Sequence, residues 1–371
     1  MNKASRFLFL CCIALLAACG VSKDKVFDVQ KVSYSALPGW KKDDFKAVLP
    51  ALERNCQALK ENADWTTFCN GVERLDDASS KQIRKFIEST MTPYAVYHYG
   101  SQNGTFTGYY EASLNGSLTP DEKNKYPIYG LPADLISLDS KSICKDGGDT
   151  GFRIGRIENN QFLPYFTREQ INEKTLDAPV LLWVDDAVDA FILHIQGSGR
   201  VETPDGVYHV GYAGNNGHKF VGIGSILKEN NVLQSGQYSM PYIRQWLKEN
   251  PDEATEYMNK NPRYIFFKML GQGDGPLGAL EVPLTAKRSM AVDKKYIPMG
   301  SLLYLDTTDA DGEKLRQLMV AQDVGGAING PIRGDFFWGY GEEAFQKAGR
   351  MKSSGTYYML LPKGVSPFKG F

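Results

Sequence analysis

Ala321-Gln-Asp-Val-Gly-Gly-Ala-Ile-Asn-Gly-Pro-Ile-Arg-Gly-Asp-Phe-Phe-Trp-Gly339 is the stretch on which the fold turns. An apolar run from Leu318 to Gln322 reads as a strand, the glycines mark a turn, and Phe336, Phe337 and Trp338 resume the apolar pattern. Asp323 and Asp335 therefore stand at strand ends. Gly325, Gly326, Gly330 and Gly334 lie between them, so the chain can double back and bring the two carboxylates together. Upstream, Pro283-Leu-Thr-Ala-Lys-Arg-Ser-Met-Ala-Val-Asp293 places a third aspartate after another apolar strand, Ser289 to Val292. A carboxyl group at a strand end beside aromatics loses hydration, which raises its pKa and suits it to acid catalysis near neutral pH. Asp335, next to three aromatic residues, is best placed for that role. The competing reading is that each aspartate caps a turn through its own backbone, the commoner fate of Asp beside Gly. Trp338 reads as core, since an indole adjoining a strand end packs inward.

Outward from this stretch, Ser301 to Leu305 and Thr356 to Leu361 read as further strands and Glu342 to Arg350 as a short helix. The N-terminal part is helical: Phe45, Val48, Leu49, Leu52, Cys56 and Leu59 recur at helical spacing from about 41 to 62. Ile83, Phe86, Ile87 and Met91 do so again. After Thr92 the composition shifts to Tyr, Gly, Asn and Thr. Gly104 to Glu111 then reads as strand, Asn115-Gly116 as a tight turn, and Val180 to Val184 and Ala190 to Ile195 as strands in a β-rich middle. Helices are expected over 218 to 229 and around Tyr242 to Lys248, with Pro251 and Pro262 as punctuation. The Gly197-Ser-Gly199 pair has no third glycine and no following helix, which excludes a dinucleotide site.

The N-terminus says where the chain resides. Lys3 and Arg6 precede an apolar run, Phe7 to Leu16, too short to span roughly 30 Å of hydrocarbon and ending in Leu16-Ala17-Ala18-Cys19. That is a signal peptide over 1–18, and its last four residues resemble the bacterial lipobox, which implies lipidation of Cys19. Gly20 in place of Asp after the lipidated cysteine implies outer-membrane delivery, facing the periplasm. A formal net charge of −1, which loses two cations with the leader, argues against nucleic acid as a partner. Cys11 and Cys12 leave with the leader. Cys56 and Cys69 either pair or stay as buried thiols, and Cys144 is left over. No cysteine or histidine spacing supports a metal site, and no cofactor motif is present.

The motifs together resemble the MltA family of membrane-bound lytic murein transglycosylases. The resemblance rests on Gly108-Tyr-Tyr-Glu111, His194-Ile-Gln-Gly-Ser-Gly199, Gly211-Tyr-Ala-Gly-Asn-Asn-Gly217 and the two aspartate segments, which are similar to the three-aspartate 3D domain. It implies a mainly β fold with α: a double-psi β-barrel domain over 41–110 and 263–371, with the 3D part at about 283–362. A smaller β domain is inserted over 111–262, a groove lies between the two, and 19–40 forms a lipidated tether. It also implies cleavage of the β-1,4 bond between N-acetylmuramic acid and N-acetylglucosamine without water, leaving 1,6-anhydro ends. Asp335 takes the acid/base role, with Asp323 and Asp293 in support; Tyr109, Tyr110, Glu111, Gln196, Ser198, Tyr212 and Asn216 are the implied substrate-binding residues. The implied partners are peptidoglycan glycan strands, the outer membrane and murein synthesis or division proteins, with the chain as a monomer. The rival functions are a hydrolytic muramidase and a cell-wall-binding lipoprotein without catalysis.

Overall fold

A computed structural model describes residues 26–138, 153–174, 176–270 and 275–367; Cys19 and Cys144 lie outside the described residues. In chain order the strands are β1 (Phe27–Lys31), β2 (Met91–His98), β3 (Gly104–Ser117), β4 (Tyr126–Tyr129), β5 (Ile136–Ser137), β6 (Ile154–Glu158), β7 (Gln161–Pro164), β8 (Val180–Val184), β9 (Gly199–Thr203), β10 (Gly206–Asn215), β11 (Ile265–Leu270), β12 (Ser289–Val292), β13 (Leu302–Thr308), β14 (Lys314–Asp323), β15 (Arg333–Tyr340) and β16 (Lys352–Pro362). The α-helices are α1 (Leu49–Leu59), α2 (Thr66–Val72), α3 (Ser80–Thr90), α4 (Arg168–Glu173), α5 (Ala187–Gln196), α6 (Ile223–Glu229), α7 (Met240–Glu249), α8 (Pro251–Asn259) and α9 (Gly341–Arg350). No helix among the described residues is long and apolar enough to cross a membrane.

Six strands close into a ring in the order β16, β13, β14, β12, β15, β3 and back to β16. Two of the pairings, β12–β14 and β15–β3, are parallel and the others antiparallel. The ring fits the expected double-psi barrel. Alternation along its strands explains why they read as unbroken apolar runs. Leu303, Leu305, Met319, Ala321, Tyr357 and Met359 pack into one core, while Leu302, Tyr304, Leu318, Val320, Tyr358 and Leu360 pack into a second under α1 to α3. Each Leu, Val or Met among them contributes about 1.5–3 kcal/mol of burial. β3 is longer than the ring requires. Beyond Glu111 it leaves β15 and pairs with β9 and then β8, so one strand carries the barrel into a second sheet of β9, β10 and β11.

Several expectations need correction. The tether is shorter than 19–40, because Phe27–Lys31 pairs with β2 and Leu37 and Trp40 are buried on the barrel's helical side. The helix read from about 41 starts only at Leu49, with Pro50 in its first turn. Ala190 to Ile195 is not a strand but part of α5. Its N-cap is Asp186, which accepts hydrogen bonds from the amides of Val188 (2.8 Å) and Asp189 (2.9 Å), and left-handed Gly197 stops it. Because α5 is buried on most sides its sequence has no polar stripe, and an unbroken apolar run looks the same for a buried helix and a buried strand. Asn115-Gly116 lies inside β3, and among the described residues the β-rich middle holds three helices, α4, α5 and α8, beyond the two expected there. The strand β11, expected with the barrel, pairs with β10 instead.

A disulfide joins Cys56 of α1 to Cys69 of α2, with their Cα atoms 5.3 Å apart. Crosslinking a loop of this length restricts the unfolded chain, and replacing both cysteines with alanine is expected to lower stability by about 3 kcal/mol. Thermal melts of the oxidised protein and the double variant check this. Equal Tm values would mean that the crosslink adds nothing to the α1–α2 packing.

Candidate active site

The barrel wall places the aspartates by register. Ala291 of β12 lies opposite Asp335 of β15 on one side and Asp323 of β14 on the other, and Asp335 lies opposite Thr107 of β3. Alternation from Met319 and Ala321 would point Asp323 into the barrel. A register shift in β14, between the partners of Met290 and Ala291, inserts one residue and turns Asp323 onto the same face as Ala291. Two carboxylates thus share one face, separated by a strand whose side chain there is a single methyl group.

Their surroundings differ. Asp323 accepts three hydrogen bonds: from the Tyr109 hydroxyl at 2.9 Å, the Ala279 amide at 3.1 Å and the Val324 amide at 2.9 Å. Burial nevertheless pushes it up to about 6, with the three donors pulling down and the Asp335 charge adding to the rise. Asp335 accepts from the Thr107 hydroxyl, which in turn accepts from Arg333 Nη2 at 2.8 Å. Burial raises its pKa too, opposed by Thr107 and by the Arg333 charge. The Tyr109 phenol is held well above its ordinary value by burial and both carboxylates, so it stays a donor. Thr107 and Arg333 were not singled out from sequence. Strand alternation carried the signal, since Thr107 is two residues before Tyr109 and Arg333 two before Asp335.

The third aspartate is elsewhere. Asp293 accepts from the Lys295 amide at 3.0 Å, closing its own turn, and from the Gly330 amide at 2.8 Å. It pins the loop between Asp323 and Asp335 rather than joining them. Of the expected substrate-binding residues, Tyr109 is at the aspartates, whereas Tyr110 points to the other side of β3 and packs on Phe345 of α9 with ring centroids 5.2 Å apart. Glu111 is 1% exposed and bonded to His209 Nδ1 at 2.9 Å. Asn216 is equally buried, donating to the carbonyls of Phe166 and Pro262 and accepting from the Tyr264 amide. Glu111 and Asn216 therefore have no surface to offer a ligand; both hold the second sheet together. Gln196 and Ser198 flank the left-handed Gly197, half-buried, where the chain enters β9 beside β3. Tyr212 is exposed, its hydroxyl accepting from Asn215 at 2.6 Å. Trp338 is core, as read.

His194, in the same motif as Gln196, is buried against Arg168, whose Nη1 lies 2.9 Å from His194 Nδ1. Nδ1 must accept from the guanidinium, and burial followed by the Arg168 charge holds the imidazole pKa well below its usual range. The unfolded chain binds a proton near pH 6.5 that the folded chain refuses, so this contribution is complete above that pH and lost as the pH falls below it. In chemical denaturation, stability of the native protein is expected to fall by up to about 1.4 kcal/mol per pH unit more steeply than that of His194→Gln. Parallel curves would overturn the assignment.

Two half-buried carboxyl groups with raised pKa values, framed by hydroxyl and phenol donors on a barrel wall, make a candidate acid/base centre. Residues 105–268 match the family model described as the MltA specific insert domain and residues 288–361 that of the 3D domain. Membrane-bound lytic murein transglycosylase A of Escherichia coli (strain K12) is 31% identical over 303 residues, covering 78% of this chain and 74% of the relative. The chain belongs to the MltA family of lytic murein transglycosylases, with a 3D domain. Among solved structures it resembles MltA from Neisseria gonorrhoeae with a TM-score of 0.83 at 38% identity, covering 92% of this chain and 94% of that one. It also resembles E. coli MltA with bound chitohexaose, with a TM-score of 0.68 at 25% identity over 91% and 95% of the two chains.

Proposed function

We propose that the protein cleaves the β-1,4 bond between N-acetylmuramic acid and N-acetylglucosamine with Asp335 as sole acid and base. The neutral carboxyl protonates the leaving oxygen. The resulting carboxylate then removes the proton of the muramyl C6 hydroxyl, which attacks C1 and closes the 1,6-anhydro ring. Because the nucleophile belongs to the substrate, no second carboxylate has to attack or to activate water, as it does in ordinary glycosidases. The observation that carries this reading is the asymmetry of the pair. Asp323 accepts from three donors, two of them backbone amides, which favour its ionised form against the burial that lifts it to about 6. Among the described residues Asp335 accepts from the Thr107 hydroxyl alone and, with Asp323 ionised beside it, is the partner left to hold the proton. Asp323 then balances the positive charge that grows at C1, and Asp293 fixes the loop between them.

The substrate is the glycan strand of peptidoglycan, a reading supported by the binding of chitohexaose to E. coli MltA. We place it in a groove between the barrel and a second lobe that begins where β3 leaves β15 and ends with β11. Lipid on Cys19 would tether this groove to the outer membrane from the periplasmic side. Mass spectrometry of digested sacculi tests the reaction: the expected muropeptides are lighter by one water than those of a muramidase. Hydrated products would assign the protein to the hydrolytic class instead.

A further inference from the structure

Tyr340 ends β15 and is 61% exposed, among the most exposed aromatic residues described. Its direction is set by an irregularity. Phe337 lies opposite Tyr109 and Tyr340 opposite Glu111, so three steps on β15 match two on β3. The additional residue falls at Trp338-Gly339, where Gly339 has φ of 97°. Regular alternation would send Tyr340 to the face opposite Phe337. The bulge returns it to the face of Phe337 and Asp335. On β3 the partners of these residues, Thr107, Tyr109 and Glu111, alternate onto one face as well, so Tyr340 shares the wall that carries the carboxylates.

The ring is also braced. The Arg200 guanidinium lies 3.9 Å from its centroid, and Arg200 Nε is 3.8 Å from the buried carboxylate of Glu111, which His209 holds at 2.9 Å. His209, Glu111 and Arg200 form a chain of charged and polar contacts whose last member backs one face of an exposed phenol ring. The Tyr340 hydroxyl has no hydrogen-bond partner among the described residues, so the ring is not held for its oxygen. A braced aromatic surface of this kind suits the apolar face of a pyranose ring, and bracing lowers the entropy lost on binding.

We propose that Tyr340 is a sugar-binding platform in a distal subsite of the groove, held in place by Arg200 and Glu111. The inference rests on the glycan-cleaving function proposed above and adds where the strand is gripped. Glu111 is four residues from Thr107, so the platform is about 13 Å from the Asp335 row along β3. That is beyond the sugars flanking the scissile bond. Strand length should therefore decide whether Tyr340 matters.

The test compares native protein, Tyr340→Ala and Tyr340→Phe on peptide-free glycan strands, from the shortest that is cleaved to long ones. Tyr340→Ala is expected to raise KM on long strands about fivefold to tenfold, with kcat and short-strand kinetics unchanged, and Tyr340→Phe to match the native protein. Arg200→Met should show a smaller shift of the same length-dependent kind. Binding of chitohexaose and chitobiose to Asp335→Asn, with and without Tyr340→Ala, gives a second readout without turnover. A KM unchanged on long strands, or raised equally on short ones, would overturn the platform, as would equal chitohexaose affinity. If the native protein released no anhydro product, the catalytic reading would fall and the chitohexaose comparison would still decide the platform.

Discussion

Asp335→Asn is expected to reduce release of anhydro products from sacculi by about 10³-fold or more, the upper part of what a positioned acid/base contributes. Asparagine has the same shape, and its carbonyl can still accept from Thr107, so the barrel wall should be retained. What it lacks is a transferable proton. The Thr107 hydroxyl and Arg333 would remain in place without an acid to support, and bound glycan would stay intact. Product analysis and a thermal melt on the same preparation separate loss of chemistry from loss of fold. A folded Asp335→Asn protein with more than a tenth of native activity would move the acid/base role to Asp323.

Much of this centre was legible because its signals are local. Apolar runs broken by glycine reveal strands that end in aspartate, and the four glycines between Asp323 and Asp335 foretell the close return. The helices α3 and α7 were legible from their one-sided apolar spacing. The features that fell outside the sequence depend on partners. The shift that brings Asp323 level with Ala291 exists only relative to β12, and the bulge that re-aims Tyr340 only relative to β3. Asp293 looked like its two companions because a carboxylate that accepts from a distant amide, here that of Gly330, has no local signature. Glu111 and Asn216 stood in motif positions yet are buried scaffold, since motif residues hold loops as often as they hold ligands. α5 was misread for the opposite reason, having too uniform an apolar sequence to display any period.

The clearest separation of the two carboxylates is the pH profile of Asp323→Asn. In the native protein Asp335 must carry the proton, so activity falls on the alkaline side as the pH rises through its raised pKa. Asp323 must be ionised, so activity falls on the acid side as the pH drops through about 6. Like charges close together oppose the second ionisation, and the pair therefore gives up its last proton late. Asparagine at 323 removes the charge that balances C1, which is expected to cost about 10²–10³-fold in kcat, the usual loss for one preorganised electrostatic group. It also removes the acid limb and moves the alkaline limb to lower pH, because Asp335 then ionises without a neighbouring charge. Rates of anhydro release measured on both sides of about pH 6 read the acid limb directly and follow the alkaline limb to wherever Asp335 loses its proton. An alkaline limb that stays in place would mean that the two carboxylates titrate independently, and Asp323 would be reduced to anchoring Tyr109 and the Ala279 loop.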